Sequence, residues 1–163
     1  MQVIHPLAPV YDIGSRVLIL GTMPSPRSRD QGFYYGHPQN RFWKILCTLY
    51  DEPFAQNIPQ RLDLLHRHHI ALWDVLAQCE ISGAKDSSIR DPVANDISSI
   101  LKQCNIRAIY TTGQTAAKWY KRLIQPYTDI EAITLPSSSP ANCAVSMEEL
   151  LDTYAQILQY TGK

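Results

Sequence analysis

Several familiar signatures are missing from this sequence, and each absence removes a class of function. There is no C-x-x-C pair. The cysteines Cys47, Cys79, Cys104 and Cys143 are widely spaced and stand apart from any histidine cluster, which reads as reduced core thiols in a cytoplasmic protein rather than a zinc or iron–sulfur site. No apolar stretch approaches the eighteen residues of a membrane-spanning helix, and the opening "MQVIHPLAPVYD" lacks the basic flank and apolar run of a secretion signal. Charge of one sign is also missing: Lys+Arg and Asp+Glu are 15 each, so net charge does not point to nucleic acid, although a local basic face fits within a neutral total. The G-x-S-x-G elbow that would expose a nucleophilic serine is absent. Without repeats, low-complexity tracts or linkers, the 163 residues are expected to form one domain, 1–163, large enough to bury roughly two-thirds of the unfolded surface.

What is present is an alternation of two periods. "RVLILG" (16–21), "HIALWDVL" (69–76), "IRAIYTTG" (106–113) and "EAITLPS" (131–137) are short apolar runs of the kind found in buried parallel strands. Between them the apolar residues recur at helical spacing: Phe42, Ile45, Leu46 and Leu49; Ile97, Ile100, Leu101 and Cys104; Ala116, Trp119, Tyr120 and Leu123. A helix is predicted over 59–68 with Asn57 as its cap. The last helix carries one stripe, Met147 to Leu158, behind a Ser146–Glu149 capping box. Strands alternating with helices predict a three-layer α/β/α sandwich around a mostly parallel four-stranded sheet. In such folds ligands bind beyond the carboxyl ends of the strands, so the loops "GTMPS…HPQN", "WDVL", "TTGQT" and "LPSSSPAN" should converge.

These loops hold the candidate residues, each open to a plain reading. Pro24, Pro26 and Pro38 fix backbone geometry in the first loop, while Gly21, Gly32 and Gly36 permit close approach or positive φ. Asn40 falls where it can cap the following helix or face a cleft. Of Phe33, Tyr34 and Tyr35, at least one should offer a ring to solvent or to a planar ligand such as a base. Asp74, at the end of an apolar strand, is either a structural acceptor or a ligand acceptor. The serines of "LPSSSPAN" make a hydroxyl-rich turn or a phosphate cradle. In "TTGQTAAKWYKR" a glycine turn precedes a helix, a weak anion-binding signal. His66, His68 and His69 have no acidic or thiol companions and read as a solvated helix end.

Taken in order, the motifs resemble those of the uracil-DNA glycosylase superfamily, and specifically its hypoxanthine-DNA glycosylase branch, from about Val17 to Asn142. "GTMPS" stands where the superfamily has Gly-x-Asp-Pro or Gly-x-Asn-Pro. "HPQNRFWKIL" is similar to a segment of mismatch-specific uracil glycosylases, and "LPSSSPAN" occupies the position of the second motif. Two substitutions alter the chemistry that the resemblance implies. Met23 replaces the catalytic Asp or Asn, and a thioether is neither a base nor a strong hydrogen-bond partner; Ser137 replaces the second-motif His or Asn. Asn40 is then the candidate to position the attacking water. The resemblance places Gly21, Thr22, Met23, Tyr35, Asp74 and Ser137 around the extruded base, with Tyr35 stacking on it and Asp74 accepting the N1–H of hypoxanthine. Ser25, Arg27, Arg41, Ser138 and Ser139 are expected on phosphates, and Ala141 with Asn142 where relatives insert a Leu wedge.

The function expected is a monofunctional repair glycosylase, without lyase chemistry because no motif lysine is present to form a Schiff base. It should act as a monomer on DNA containing deaminated bases, chiefly hypoxanthine, with no metal, no other cofactor and no membrane. The alternatives are a mismatch-specific uracil glycosylase, and a DNA-binding module of the same fold that has lost catalysis.

Overall fold

A computed structural model describes residues 1–83 and 85–162. Strands β1 (Gln2–Ile4) and β2 (Val17–Gly21) come first, followed by helices α1 (Pro26–Gln31), α2 (Phe42–Leu49) and α3 (Ile58–Arg67). Strands β3 (Ile70–Asp74), β4 (Leu76–Ser82) and β5 (Lys85–Ala94) lead to α4 (Ile97–Gln103), β6 (Ala108–Thr112), α5 (Gln114–Leu123) and α6 (Gln125–Thr128). Strand β7 (Ala132–Leu135) precedes α7 (Met147–Tyr154) and α8 (Leu158–Thr161).

The central sheet is parallel, four-stranded and ordered β3-β2-β6-β7. Every residue of β2 is buried, and its alternating side chains feed two cores. Val17 and Ile19 pack with Ile45, Leu46, Leu150 and Tyr154 on one face; Leu18 and Leu20 pack with Ile97, Ile100, Ala116 and Tyr120 on the other. Because both faces are covered, the strand has no polar side, and that is why its sequence reads as an unbroken apolar run. The three-layer α/β/α sandwich predicted from the alternation is the architecture observed.

The local signals act as expected at several ends. Asn57 accepts the Gln60 N–H at 2.9 Å and caps α3, and Ser146 and Glu149 form the capping box of α7. Three differences stand out. The 69–76 run is not one strand: β3 stops at Asp74, the Val75 N–H donates to Gly21 O at 2.8 Å, and the chain leaves for a second sheet, antiparallel and ordered β1-β4-β5. The first loop contains a short helix, α1, with Ser25 as N-cap and Pro26 in its first turn. The C-terminal stripe is interrupted by a 3₁₀ turn over Ala155–Ile157.

Cys47, Cys79 and Cys104 are buried and Cys143 is exposed. Among the described residues no helix is long and apolar enough to cross a membrane, and no group of three His, Cys, Asp or Glu side chains is gathered as a metal ion would need. The three helix-end histidines go separate ways: His66 pairs with Asp12 at 3.1 Å, His68 stacks on Tyr50 and contacts Glu52, and His69 takes a positive φ of 61°.

Candidate active site

The carboxyl ends of all four parallel strands open into one cleft of about 890 Å³. Strand β2 contributes Gly21 to Ser25, β3 Asp74, β6 Thr112 to Gln114, and β7 the segment from Thr134 to Asn142; Tyr35, His37 and Asn40 close one side. The antiparallel sheet adds a wall that the sequence did not reveal, Ile81, Gly83 and Asp86 of the β4–β5 hairpin.

Asn40 is held from two directions. Its Oδ1 accepts the N–H of Phe42, the first residue of α2, at 2.9 Å and the hydroxyl of Ser138 at 2.8 Å, although the N-cap position itself is Arg41. A backbone N–H can only donate, so the amide orientation is set: the oxygen faces the protein and Nδ2–H₂ is left to the cleft. Ser138 was expected on a phosphate. It lines the cleft but is 2% exposed, its hydroxyl committed to Asn40; the neighbouring hydroxyls are engaged in the turn itself, Ser137 Oγ accepting the Ser139 N–H at 3.1 Å and Ser139 Oγ the Ala141 N–H at 3.2 Å. Asn142 Nδ2 donates to Ser137 O at 2.9 Å and tightens the same loop.

Asp74, at the end of β3, also lines the pocket and is 4% exposed. Its backbone carbonyl accepts Asn95 Nδ2 at 2.9 Å and its Oδ2 is 2.8 Å from His5 Nε2. Oδ1 has no hydrogen-bond partner among the described residues and lies over Gly21, where a methyl group would come within 2.5 Å of it and 3.4 Å of the Tyr35 hydroxyl. Gly21 is thus required by close approach: only a residue without Cβ leaves room for that oxygen at the end of β2.

Tyr35 has a φ of 52°, a left-handed backbone that is costly for an aromatic residue and held here by its surroundings. Its ring stacks on Phe42 at 3.8 Å with 13° between planes, its hydroxyl lies 3.3 Å from Thr112 Oγ1, and it lines the cleft, to which it can offer its second face. Burial, reinforced by the nearby Asp74 charge, pushes the Tyr35 hydroxyl well above the usual tyrosine range, so it remains a neutral O–H. Phe33 and Tyr34 are core residues, and Tyr34 clamps the N-terminal segment by donating to Ala8 O at 2.7 Å.

The remaining expected residues divide. Thr22, Met23 and Ser137 line the pocket, as do Ser25, Ser139, Ala141 and Asn142. Ser25 Oγ also accepts the Ser28 N–H at 3.1 Å as the cap of α1. Arg27 is exposed on α1 and does not line the cleft. Arg41 turns away from it and donates to Val145 O at 2.5 Å and Asn142 O at 3.0 Å, bracing the loop that carries Ala141. His5 was missed entirely; its partner is 69 positions away, and no local pattern announces such a contact.

Residues 8–160 match the sequence model of the uracil DNA glycosylase superfamily. The chain is 35% identical over 137 residues to a protein of Methanosarcina barkeri named hypoxanthine DNA glycosylase, covering 82% of this chain and 85% of the relative. A second protein of that name, from Methanosarcina acetivorans, is 34% identical over 135 residues, covering 82% and 84%. The fold is similar to the solution NMR structure of a Methanosarcina acetivorans protein provisionally assigned as a uracil DNA glycosylase, with a TM-score of 0.80, 30% identity, and 96% and 99% of the two chains covered.

Proposed function

The chain belongs to the uracil DNA glycosylase superfamily, and on that premise we propose that it is a monofunctional DNA repair glycosylase that hydrolyses the N-glycosidic bond of deaminated nucleotides, chiefly deoxyinosine. The observation that carries the reading is the pairing, in one cleft, of the fixed Asn40 amide with the Asp74 acceptor beside Tyr35. The names of the curated relatives support hypoxanthine as the preferred base.

The target base must leave the helix to reach such a pocket. Tyr35 stacks on it and Asp74 Oδ1 accepts its N1–H. Asn40 Nδ2–H₂ holds a water beside the sugar. As the bond from C1′ to the base breaks, its electron pair departs with the base; the water oxygen adds to C1′, and the water proton passes to solvent or to the released base. An amide orients water without deprotonating it, and Met23 supplies no base. The rate therefore depends on alignment and on stabilising the oxocarbenium-like sugar and the departing base anion. Phosphates of the bound strand support the cation. Ser25, Ser139, Ala141 and Asn142 form the strand-facing rim, with Arg27, exposed on α1 and outside the cleft lining, reaching a phosphate and Arg41 acting through the loop it braces. The enzyme works as a single-domain monomer in the cytoplasm, on DNA, without metal or other cofactor.

The test is a time course of base release from inosine, uracil and xanthine duplexes by wild type and Asn40→Ala. Hypoxanthine should leave fastest, and Asn40→Ala should slow it by about 10²–10³, as removal of a preorganised hydrogen-bonding group does. Equal rates for the two proteins would remove Asn40 from the mechanism. A uracil-first reading is favoured by one observation, the "HPQNRFWKIL" segment, and uracil released far faster than hypoxanthine would establish it. DNA binding with no release of any base would leave a binding module.

A further inference from the structure

Directly after β1 stands a histidine, His5, that does not line the cleft but whose side chain reaches Asp74, which does. The His5 backbone N–H donates to Ala77 O at 2.7 Å, and its ring sits edge-on to Trp73 at 6.5 Å and tilted against Tyr34 at 6.1 Å. The His5 and Asp74 side chains are 3% and 6% exposed, with Nε2 and Oδ2 2.8 Å apart. The Leu7 backbone N–H lies 3.2 Å from His5 Nδ1 and can only donate, so Nδ1 is the acceptor and the proton facing Asp74 is on Nε2.

We propose that His5 is a positioning residue for base recognition: by donating Nε2–H to Asp74 Oδ2 it holds the carboxylate with Oδ1 over Gly21, as an acceptor for the N–H edge of the flipped base. The proposal rests on the glycosylase reading above. With Nδ1 accepting, the imidazole is neutral and the contact is a hydrogen bond to a carboxylate; polar atoms buried for structure alone find partners within the fold. Here, among the described residues, Oδ2 has a protein partner and Oδ1 has none, and a glycine keeps space for that oxygen. An acceptor fixed in this way selects bases with a ring N–H, such as hypoxanthine, and opposes adenine, whose N1 presents a lone pair.

The locked tautomer makes the test sharp. In Asp74→Asn, the His5 Nε2–H draws the amide oxygen to itself and turns Nδ2–H₂ toward the base, presenting a donor where an acceptor is needed. Removing the His5 donor with His5→Phe then frees the amide to turn its oxygen to the cleft. Single-turnover release is measured from oligonucleotides carrying hypoxanthine or unsubstituted purine, which lacks the N1–H. His5→Phe alone should lower the hypoxanthine-to-purine ratio roughly ten- to hundredfold, the range for a hydrogen bond to a charged group, and His5→Gln, which keeps a donor at similar reach, should recover most of it. In the Asp74→Asn background, His5→Phe should instead raise the ratio. If His5→Phe depresses both substrates alike, if Gln rescues no better than Phe, or if His5→Phe lowers the ratio in both backgrounds, His5 has only a structural role, and hypoxanthine release by wild type leaves the glycosylase reading standing. If wild type releases neither base, that reading falls instead. Equilibrium binding of non-hydrolysable 2′-fluoro analogues of the two nucleotides then decides the His5 proposal by the same ratios.

Discussion

Replacing Ser138 by alanine separates two roles for a serine in the second motif: contact with a DNA phosphate, or support of Asn40. In the structure the hydroxyl supplies one of the two hydrogen bonds on Asn40 Oδ1, at 2.8 Å, and the Phe42 N–H supplies the other at 2.9 Å. Deleting one neutral hydrogen bond is worth about 0.5–1.5 kcal/mol. If that whole amount is felt as lost alignment of the amide, hydrolysis slows by about 2- to 12-fold, well short of the 10²–10³ expected for removing the amide itself. The fold should lose about 1 kcal/mol, because Asn40 keeps its bond to Phe42 and Tyr154 keeps its 2.6 Å bond to Pro136 O. Since the hydroxyl acts through Asn40, adding Ser138→Ala to Asn40→Ala should change nothing further. The assay is single-turnover release of hypoxanthine for the four proteins of this cycle, with DNA affinity measured at two salt concentrations. An additive loss of rate, or a weakened affinity with a shallower salt slope, would show that Ser138 reaches the phosphate and refute the assignment.

Two further perturbations test the pocket and the fold. Gly21→Ala places a methyl 2.5 Å from Asp74 Oδ1; the carboxylate is pinned by His5 and cannot swing aside, so the variant should lose about 1–3 kcal/mol in urea unfolding. It should also lose about a hundredfold in single-turnover rate, since displacement by an ångström is enough to misalign a reaction; an unchanged rate would mean that the reaction does not use that oxygen. At the α2–α3 junction, Arg67 foremost, with His68, holds the Glu52 carboxyl below its ordinary value of 4.5 against the opposing effect of burial. A lowered folded value means the contribution is present above the ordinary carboxylate range and disappears as pH falls through the lowered value. Glu52→Gln should therefore cost less than about 1 kcal/mol at pH 7, as expected for a partly exposed pair, and the two proteins should converge in acid; a difference that persists there would assign the effect to packing.

The elements legible in the sequence are those whose cause is local. Val17 to Gly21 is buried on both sides and reads as a parallel strand; Asn57 and Ser146 announce helix starts by spacing alone. Strand β5 was not legible because Lys85 to Ala94 is largely exposed, with Ile89 its buried residue, contains Pro92, and pairs through irregular register, which is edge-strand behaviour. The break after Asp74 was hidden because Val75 and Leu76 continue the apolar run and are both buried, although in a different setting. The convergence of the four loops follows from parallel topology and was foreseeable. The inward turn of Ser138 among three consecutive serines was not, since the contacts that distinguish it, with Asn40 and Arg41, come from the distant first loop.

The same distinction bears on specificity. Asn40 and Asp74 are residues that the sequence identifies, but the hydrogen-bond polarity each presents is set by partners far away in the chain, Ser138 in the second motif and His5 in no motif at all. Ser138 and the Phe42 N–H occupy the Asn40 oxygen and leave a donor; His5 occupies one Asp74 oxygen and leaves an acceptor. On the proposed reading the Asn40 donor serves the water and the Asp74 acceptor serves the base, and an acceptor fixed from behind cannot adapt to a base of opposite pattern without breaking a buried bond. Adenine and hypoxanthine have nearly the same outline and differ mainly in that pattern, so in the proposed mechanism discrimination between them comes from the unpaired polar groups that the wrong base would leave, the strongest form of rejection open to a small pocket. A related chain that keeps "HPQN" and "WD" but lacks the histidine would retain the cleft and should accept a wider range of bases.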